Sequence, residues 1–225
     1  MSNAEEIFQE SIAFIRRAFT EMDRWSYESE RWTFNDIIVE PPVVQKPHPP
    51  MWVGAGSERS IRAAARNGFN LLLDQMTPFE GIGERVQQYR DELEKMGKDF
   101  DPYTIGVTRG LMVANNDNER KDAHILRGKF ISEVQVLSTD KKYQAKAFNP
   151  VEDGDGGSTD TVSEKGAVLG SSAEMGERVQ KLYDLGVRNI LLHDLSGNFE
   201  ALHQFAEEVM PHFIDKNDPV FEAAE

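Results

Sequence analysis

The sequence predicts an α/β chain in which parallel strands alternate with helices. Short apolar runs, typical of buried strands, alternate with longer stretches in which apolar residues recur every three or four positions. Glycines follow two of the helical stretches, at Gly97 and Gly186, as is common at helix ends. Of the 225 residues, 39% are hydrophobic, and no apolar run approaches the roughly 18 residues of a membrane span. We therefore expect a soluble globular fold with a single domain over residues 1–225.

The elements follow one another as an opening helix and then four strand-helix units. Apolar residues over 8–22 share one helical face, and a connection at 25–40 follows. The later elements that we expect are, in order, a strand at 51–53, a helix at 58–67, a strand at 69–73, a helix at 82–96, a strand at 103–114, a helix at 118–137, a helix at 175–185, a strand at 187–193 and a helix at 199–213.

Four units are half of a closed (β/α)8 barrel, which needs eight units in about 250 residues. The expected fold is therefore a partial (β/α)8 TIM barrel. An open four-stranded parallel sheet has two unpaired edges and an apolar face that a full barrel would enclose. A second copy of the chain, a partner subunit, the opening helix or a further N-terminal region could cover them.

Residues 140–165 differ in composition from the rest of the chain. Their centre reads Glu152-Asp153-Gly154-Asp155-Gly156-Gly157-Ser158, which predicts a mobile insertion. An active-site lid and plain surface disorder are both compatible with it. Asp153 and Asp155 suggest calcium, but the segment lacks the full ligand series and the closing glutamate of an EF-hand. We expect no metal.

Charge and cysteine content exclude several classes of protein. The formal net charge of −14 disfavours binding to nucleic acid and to anionic membranes. The absence of cysteine removes thiol nucleophiles, thiolate metal sites and disulfides. Because no signal peptide precedes the first helix, we expect a cytoplasmic protein.

The first predicted strand leads through a glycine-rich turn into a helix. Glycine-rich turns of this kind offer backbone N–H groups and a helix N-terminus to a phosphate. Two hydroxyls, on Ser57 and Ser60, stand one helical turn apart and can reach the same anion. Alternatively, Ser57 is only the N-cap of the helix. The spacing matches neither a Rossmann fingerprint nor a P-loop. The candidate residues for binding a phosphate-bearing cofactor are Gly54, Ala55, Gly56, Ser57 and Ser60.

Other polar residues give weaker signals. His193 and Asp194 end the last strand, where barrel enzymes place working residues. Arg109 lies within a strand and faces either the core, paired with a carboxylate, or the pocket. Surface or packing roles fit His48, His124, His203 and His212. No catalytic residue can be named from these patterns.

Several segments together resemble the bacterial luciferase-like, flavin-dependent monooxygenases. The resemblance covers most of the chain and corresponds to the last four strand-helix units of the family's barrel. It is carried by Gln45-Lys46-Pro47-His48-Pro49-Pro50, Met51-Trp52-Val53-Gly54, Ala64-Ala65-Arg66-Asn67-Gly68, Thr108-Arg109-Gly110-Leu111-Met112-Val113-Ala114, Leu185-Gly186-Val187-Arg188-Asn189-Ile190-Leu191-Leu192 and Phe205-Ala206-Glu207-Glu208-Val209-Met210-Pro211.

The resemblance implies a monooxygenase that uses reduced flavin mononucleotide (FMN), or alternatively a deazaflavin, with dioxygen and a small organic substrate. It also implies a flavin reductase as partner and a homo-oligomer or partner subunit. The cofactor phosphate would lie against the five candidate residues, although some relatives carry an acidic residue where Gly56 stands. By the same resemblance, the first half of the barrel, which in relatives supplies much of the flavin-ring pocket and the catalytic side chains, is absent here. A non-catalytic flavin-binding or complementing subunit is therefore the alternative, and a phosphosugar-handling barrel fragment explains fewer of the motifs.

Overall fold

The computed structural model describes residues 3–137, 159–197 and 199–214 of the chain. Contacts between residues divide the chain into two compact units, Met1–Met51 and Trp52–Glu225. The single domain expected over residues 1–225 stays a prediction. Within the described part of the chain, no helix is long and apolar enough to cross a membrane.

The first unit consists of a helix and a β-hairpin. The helix α1 spans Asn3–Thr20, and the antiparallel strands β1 (Trp25–Glu28) and β2 (Thr33–Ile37) follow it. Phe14 of α1 packs against aromatic rings of the hairpin, with ring centroids 4.7 Å from Phe34 and 5.1 Å from Tyr27. The interpretation of residues 25–40 as a plain connection was therefore wrong.

The second unit alternates strands and helices, as the periodicity predicts. Its strands are β3 (Trp52–Gly54), β4 (Asn70–Leu73), β5 (Ile105–Val113), β6 (Val168–Gly170) and β7 (Asn189–Asp194). Its α-helices are α2 (Glu58–Arg66), α3 (Phe79–Lys95), α4 (Asp117–Leu137), α5 (Thr159–Gly166), α6 (Ser172–Asp184) and α7 (Phe199–Glu208), and the short 3₁₀ helices Pro102–Thr104 and Met210–His212 accompany them.

Two of these elements, α5 and β6, were not expected. α5 occupies the last residues of the segment 140–165, for which the mobile insertion stays a prediction. The rest of that segment, including Asp153 and Asp155, lies outside the described residues.

The sheet has five parallel strands instead of the four expected. Its order is β3-β4-β5-β6, and β7 also pairs with β5. β5 is long enough to pair with three strands: its first residues pair with β4 and its last residues with β6, while 106–111 pair with β7. Among the described residues β3 and β7 each pair with one neighbour, so the sheet is open, as a partial barrel requires.

Alternate residues of β5 and β6 pack into two separate cores. Leu111 and Val168 pack against apolar side chains of α6 and α7. Their neighbours Met112 and Leu169 point to the opposite face and pack with Ala123 of α4. Helices therefore cover both faces of the sheet near the carboxyl end of β5. The helices α6 and α7 cover one face, and α4 covers the opposite face.

The rest of that second face is partly exposed. The register places Trp52, Leu72, Gly106 and Leu191 on it, and a Cβ on Gly106 would lie 3.0 Å from the ring of Trp52. Trp52 is 43% exposed and Leu191 is 50% exposed. The sequence-based expectation of an uncovered apolar face thus holds for the part of the sheet that α4 does not reach.

Candidate functional site

The turn between β3 and α2, residues 54–60, brings two serine hydroxyls together. Ser57 is the N-cap of α2: its Oγ accepts the Ser60 N–H at 3.3 Å, and Ser60 Oγ accepts the Ser57 N–H at 3.1 Å. The two hydroxyl oxygens lie 2.8 Å apart. Ser57 is therefore the N-cap of α2, as the alternative interpretation predicted. The same cap holds the Ser57 and Ser60 hydroxyls next to each other at the N-terminus of the helix. Whether a phosphate binds them stays a prediction.

The glycines and alanine of the turn have different surroundings. Gly54, Gly56 and Ser57 are exposed, which leaves room for a ligand. The Ala55 N–H points to the Leu72 carbonyl at 3.4 Å, so this donor is already directed into the sheet. Of the five predicted residues, Ala55 is thus the least suited to binding an anion through its backbone.

An arginine that the sequence did not single out lies beside this turn. A Cβ placed on Gly56 would be 3.7 Å from Arg85 Nη2, so the guanidinium of this α3 residue faces the turn. Arg85 Nη1 donates to Asp74 Oδ2, and the Arg85 side chain is 17% exposed. A positive group, held in place by an ion pair, therefore stands next to the two hydroxyls.

Asp74 follows β4 and positions Arg85. Its Oδ1 accepts the N–H groups of Met76 and Thr77, both at 2.8 Å. Burial raises the pKa of the Asp74 carboxyl, but the Arg85 guanidinium and the Thr77 donors outweigh burial and hold that pKa below its usual value. Asp74 is therefore ionised at neutral pH and fixes the direction of Arg85.

Two further arginines are fully buried nearby. Arg109 donates to the backbone carbonyls of Asp74 at 2.6 Å and Thr77 at 3.0 Å. Burial lowers the pKa of Arg109 to about 10; the Asp74 carboxylate opposes this effect, and the neighbouring Arg127 and Arg85 add to it. The structure therefore places Arg109 in the core and not in a pocket. Its hydrogen-bond partners are carbonyls and not the carboxylate that we expected.

Arg127 of α4 is held in the same way by Gln75. It donates to the Gln75 side-chain and backbone oxygens, both at 2.9 Å, and burial lowers its pKa to about 10. A Cβ on Gly110 would lie only 2.8 Å from Arg127 Nη1, so a larger residue at this position of β5 would displace the Arg127 guanidinium. Arg85, Arg109 and Arg127 thus give the carboxyl end of β4 and β5 an excess of positive charge over Asp74.

A cavity of about 360 Å³ opens at the carboxyl ends of β5 and β7. The residues that line it come from the end of β5, from α4, and from the turn after β7 with the start of α7. They are Met112, Val113, Asn115, Glu119, Asp122, Ala123, Leu126, Ser196, Glu200, Ala201 and Gln204.

The residues predicted at the end of the last strand do not line this cavity. His193 is exposed, and its ring packs edge-on against Phe130 with centroids 5.3 Å apart. Asp194 Oδ1 accepts the Ser196 N–H at 2.9 Å and its hydroxyl at 2.7 Å. Asp194 therefore stabilises the turn that follows β7.

The histidines have local structural contacts. His48 Nδ1 lies 2.8 Å from the Pro49 carbonyl oxygen, and His124 Nε2 lies 3.1 Å from Glu164 Oε1. Glu164 also pairs with Arg120 at 2.7 Å and Arg178 at 2.6 Å, which joins α5 to α4 and α6. Within 3–137, 159–197 and 199–214, no three acidic or histidine side chains come together to hold a metal ion.

The sequence of this chain is similar to those of known flavin-dependent monooxygenases. A model of the luciferase-like monooxygenase family matches residues 1–189. The FMNH2-dependent dimethylsulfone monooxygenase of Pseudomonas putida is 24% identical over 220 residues, which are 92% of this chain and 58% of that protein. The oxygenase component of the flavin-dependent trigonelline monooxygenase of Acinetobacter baylyi is 24% identical over 205 residues, 85% of this chain and 56% of that protein.

The fold comparison agrees with this result. The oxygenating constituent of 3,6-diketocamphane monooxygenase from Pseudomonas putida, solved in complex with FMN, superposes with a TM-score of 0.68 at 14% identity. The match covers 93% of this chain and 64% of that one. The chain belongs to the luciferase-like monooxygenase family and has its α/β fold in partial form. It spans between one half and two thirds of the length of these relatives.

Proposed function

We propose that this chain is the flavin-binding part of a monooxygenase that uses reduced FMN and dioxygen to oxygenate a small organic substrate. Family membership supports this proposal, as do the flavin-dependent monooxygenases among the relatives. The observation that carries it is the convergence of Ser57, Ser60 and Arg85 at the end of β3.

The residues present fit the phosphate end of a flavin nucleotide. The Ser60 hydroxyl donates to the Ser57 carbonyl at 2.8 Å and would turn away from it to donate, together with the Ser57 hydroxyl, to a phosphate whose charge the N-terminal dipole of α2 attracts. Arg85, held by Asp74, faces the same turn and offers a charged hydrogen-bond donor to the phosphate. When it is bound, the reduced flavin supplies the electrons and the reactivity toward dioxygen. The contribution of Ser57, Ser60 and Arg85 is to bind and orient the cofactor.

The proposed enzyme works with partners. One relative is named as an oxygenase component, which supports a separate flavin reductase as the source of reduced FMN. The open edges of β3 and β7 and the exposed Trp52 support assembly into a homo-oligomer or with a partner subunit. A cytoplasmic location and the alternative of a deazaflavin cofactor stay predictions from the sequence.

The site is tested by titrating the full chain with FMN and, as control, with riboflavin, which lacks the phosphate. We expect FMN to bind more tightly than riboflavin. The double variant Ser57→Ala/Ser60→Ala should lose about 1 to 3 kcal/mol of FMN binding, because two hydroxyl contacts disappear. Ser171→Ala, which removes the equivalent cap of α6, is the matched control and should leave FMN affinity unchanged.

Equal affinities for FMN and riboflavin in the folded wild type would contradict the phosphate assignment. A separate assay with a flavin reductase, using dimethylsulfone and trigonelline as trial substrates, distinguishes an enzyme from a non-catalytic subunit. Flavin binding without product at every protein concentration would favour the non-catalytic alternative. Light scattering on the same samples gives the oligomeric state.

A further inference from the structure

We infer that the cavity between α4 and α7 binds a small organic cation with an apolar body. That this cation is the substrate of the monooxygenase rests on the proposed function. The cavity lies at the carboxyl ends of β5 and β7, the edge at which parallel α/β enzymes bind their ligands. Its volume of about 360 Å³ lies at the lower end of the range for small-molecule sites.

The floor of the cavity is apolar. Met112 and Ala123 are buried side chains of the core between β5 and α4, and Ala201 is a buried residue of α7. With Val113 and Leu126 they form a surface that favours hydrocarbon over water. A ligand with an aliphatic or aromatic body gains free energy by covering this floor.

The polar part of the lining is acidic. Three carboxylates, of Glu119, Asp122 and Glu200, stand among the lining residues, and no described lining residue is basic. Glu119 accepts the Asn115 N–H at 2.7 Å, so its position is fixed near the end of β5. Charges of one sign around a partly enclosed volume attract a cation and repel an anion.

The uncharged polar side chains that line the cavity, among them Asn115 and Gln204, do not offset the negative charge of the three carboxylates. Asn115 and Gln204 bond to each other, with Gln204 Nε2 donating to Asn115 Oδ1 at 3.2 Å. The same Nε2 lies 2.9 Å from Ser172 Oγ. This pair ties the segment after β5 to α7 at the edge of the cavity. The cavity thus differs from the 54–60 turn, where the nearby charge is the positive guanidinium of Arg85.

The test uses three probes of nearly equal size that differ in charge: phenethylammonium, 2-phenylethanol and phenylacetate. Binding to the full chain is measured from amide shifts in heteronuclear NMR spectra, which also locate the site. We expect phenethylammonium to bind most tightly, 2-phenylethanol less tightly and phenylacetate not at all. The shifts should map to the cavity lining.

Charge-removing variants sharpen the test. Asp122→Asn and Glu200→Gln each change an exposed side chain and should weaken phenethylammonium binding about three- to fivefold. Glu177→Gln removes an exposed carboxylate of α6 away from the cavity and is the matched control, so it should leave the affinity unchanged. The effect of Asp122→Asn should shrink as the salt concentration rises.

The inference is overturned if phenylacetate binds as tightly as phenethylammonium, if no probe binds, or if Glu177→Gln weakens binding as much as Asp122→Asn. It is also overturned if the shifts map elsewhere. FMN titration is independent of these readouts. Cation binding without FMN binding would keep the cavity assignment and remove the monooxygenase proposal, whereas the reverse result would remove only the cavity assignment.

Discussion

Two helices of the second unit, α2 and α6, begin in the same way but are capped by different chemistry. Each follows a parallel strand that ends in glycine, Gly54 before α2 and Gly170 before α6. Each has a serine N-cap with a complete capping box. In α2 the box is closed by the Ser60 hydroxyl, whereas in α6 it is closed by the Glu174 carboxylate.

The difference decides which helix N-terminus is open to an anion. In α6, the Glu174 carboxylate itself closes the cap by accepting the Ser171 N–H at 2.8 Å, so a negative charge already compensates the helix dipole there although Glu174 also pairs with Arg120. In α2 the cap is neutral, and the acidic Glu58 of the first turn is engaged by Arg62 at 2.9 Å. The N-terminus of α2, where a second serine hydroxyl closes the cap, therefore still attracts anions. The N-terminus of α6, where a glutamate carboxylate closes the cap, does not.

The largest expected effect is a difference in stability between alanine variants of the two glycines that precede these caps, Gly170 and Gly54. Gly170 has a φ of +128°, and a Cβ there would lie 2.5 Å from Glu174 Oε2. Gly170→Ala should therefore destabilise the chain by about 2 to 4 kcal/mol, since it combines backbone strain with a damaged cap. Gly54→Ala meets no atom within 4 Å and should change stability by less than about 0.5 kcal/mol.

Urea unfolding of both glycine variants checks this comparison. Equal stability losses in Gly170→Ala and Gly54→Ala would show that the two caps do not differ in the way described. The wild type provides the reference, and equal slopes of free energy against urea concentration would show that the unfolded states are comparable.

An intermediate effect, on FMN affinity, is expected when Ser60 of α2 is replaced by the glutamate that closes the cap of α6. Ser60→Glu reproduces the serine-glutamate box and should keep α2 stable. It should lower FMN affinity at least tenfold, about 1.4 kcal/mol, because a carboxylate then occupies the place of the phosphate. Riboflavin affinity should not change, and both affinities are measured by fluorescence quenching.

The neutral variant Ser60→Gln separates charge from size in this experiment. It has the shape of glutamate and can still cap the helix, so it should reduce FMN affinity less than Ser60→Glu. If both variants weaken FMN binding equally, negative charge is not what distinguishes the two helix N-termini.

The smallest expected effect is a pH dependence confined to α6. The Ser171 N–H, its hydroxyl and Arg120 hold the pKa of Glu174 below its usual value although burial raises it. A lowered folded-state pKa contributes stability above the unfolded value of about 4.3, and this stability is lost as the pH falls through the folded pKa. Glu174→Gln should cost up to about 1 kcal/mol at pH 6 and less at pH 3.

The cap of α2 contains no titratable side chain and provides the control. Ser57→Ala should lower the free energy of unfolding by a similar amount at both pH values, measured by urea unfolding at pH 6 and pH 3. A pH-independent cost of Glu174→Gln would contradict the role assigned to its carboxylate.

Much of the fold of the second unit could be predicted, because its long helices have regular apolar faces. The bounds expected for α2, α3 and α4 lie within a few residues of those observed. The strand β6 was missed because its three residues show no period and because it lacks the proline-rich entry and family motif that mark the equally short β3. The helix α5 was missed because it follows a strongly polar segment. The β1–β2 hairpin is stabilised by packing against Phe14, a contact between distant residues that local patterns do not reveal.

The candidate site also has one part that the sequence predicted and one part that it did not. Ser57 and Ser60 are close in sequence, so helical spacing alone predicts that their hydroxyls meet. Arg85 reaches the turn from the next helix, and the sequence shows it only as one arginine on a polar helical face. The cavity is formed by β5, α4 and α7, which no local motif connects.

The pairing of β5 with β7 has a consequence for how the chain is made. Residues 106–111 of β5 acquire their β7 partner only when 189–194 have left the ribosome, after α4, α5, β6 and α6 have been synthesised. Until then one edge of this largely buried strand is available to other nascent chains. We expect the yield of soluble protein to depend on this interval, because a long-range strand pair forms slowly and its open edge invites aggregation.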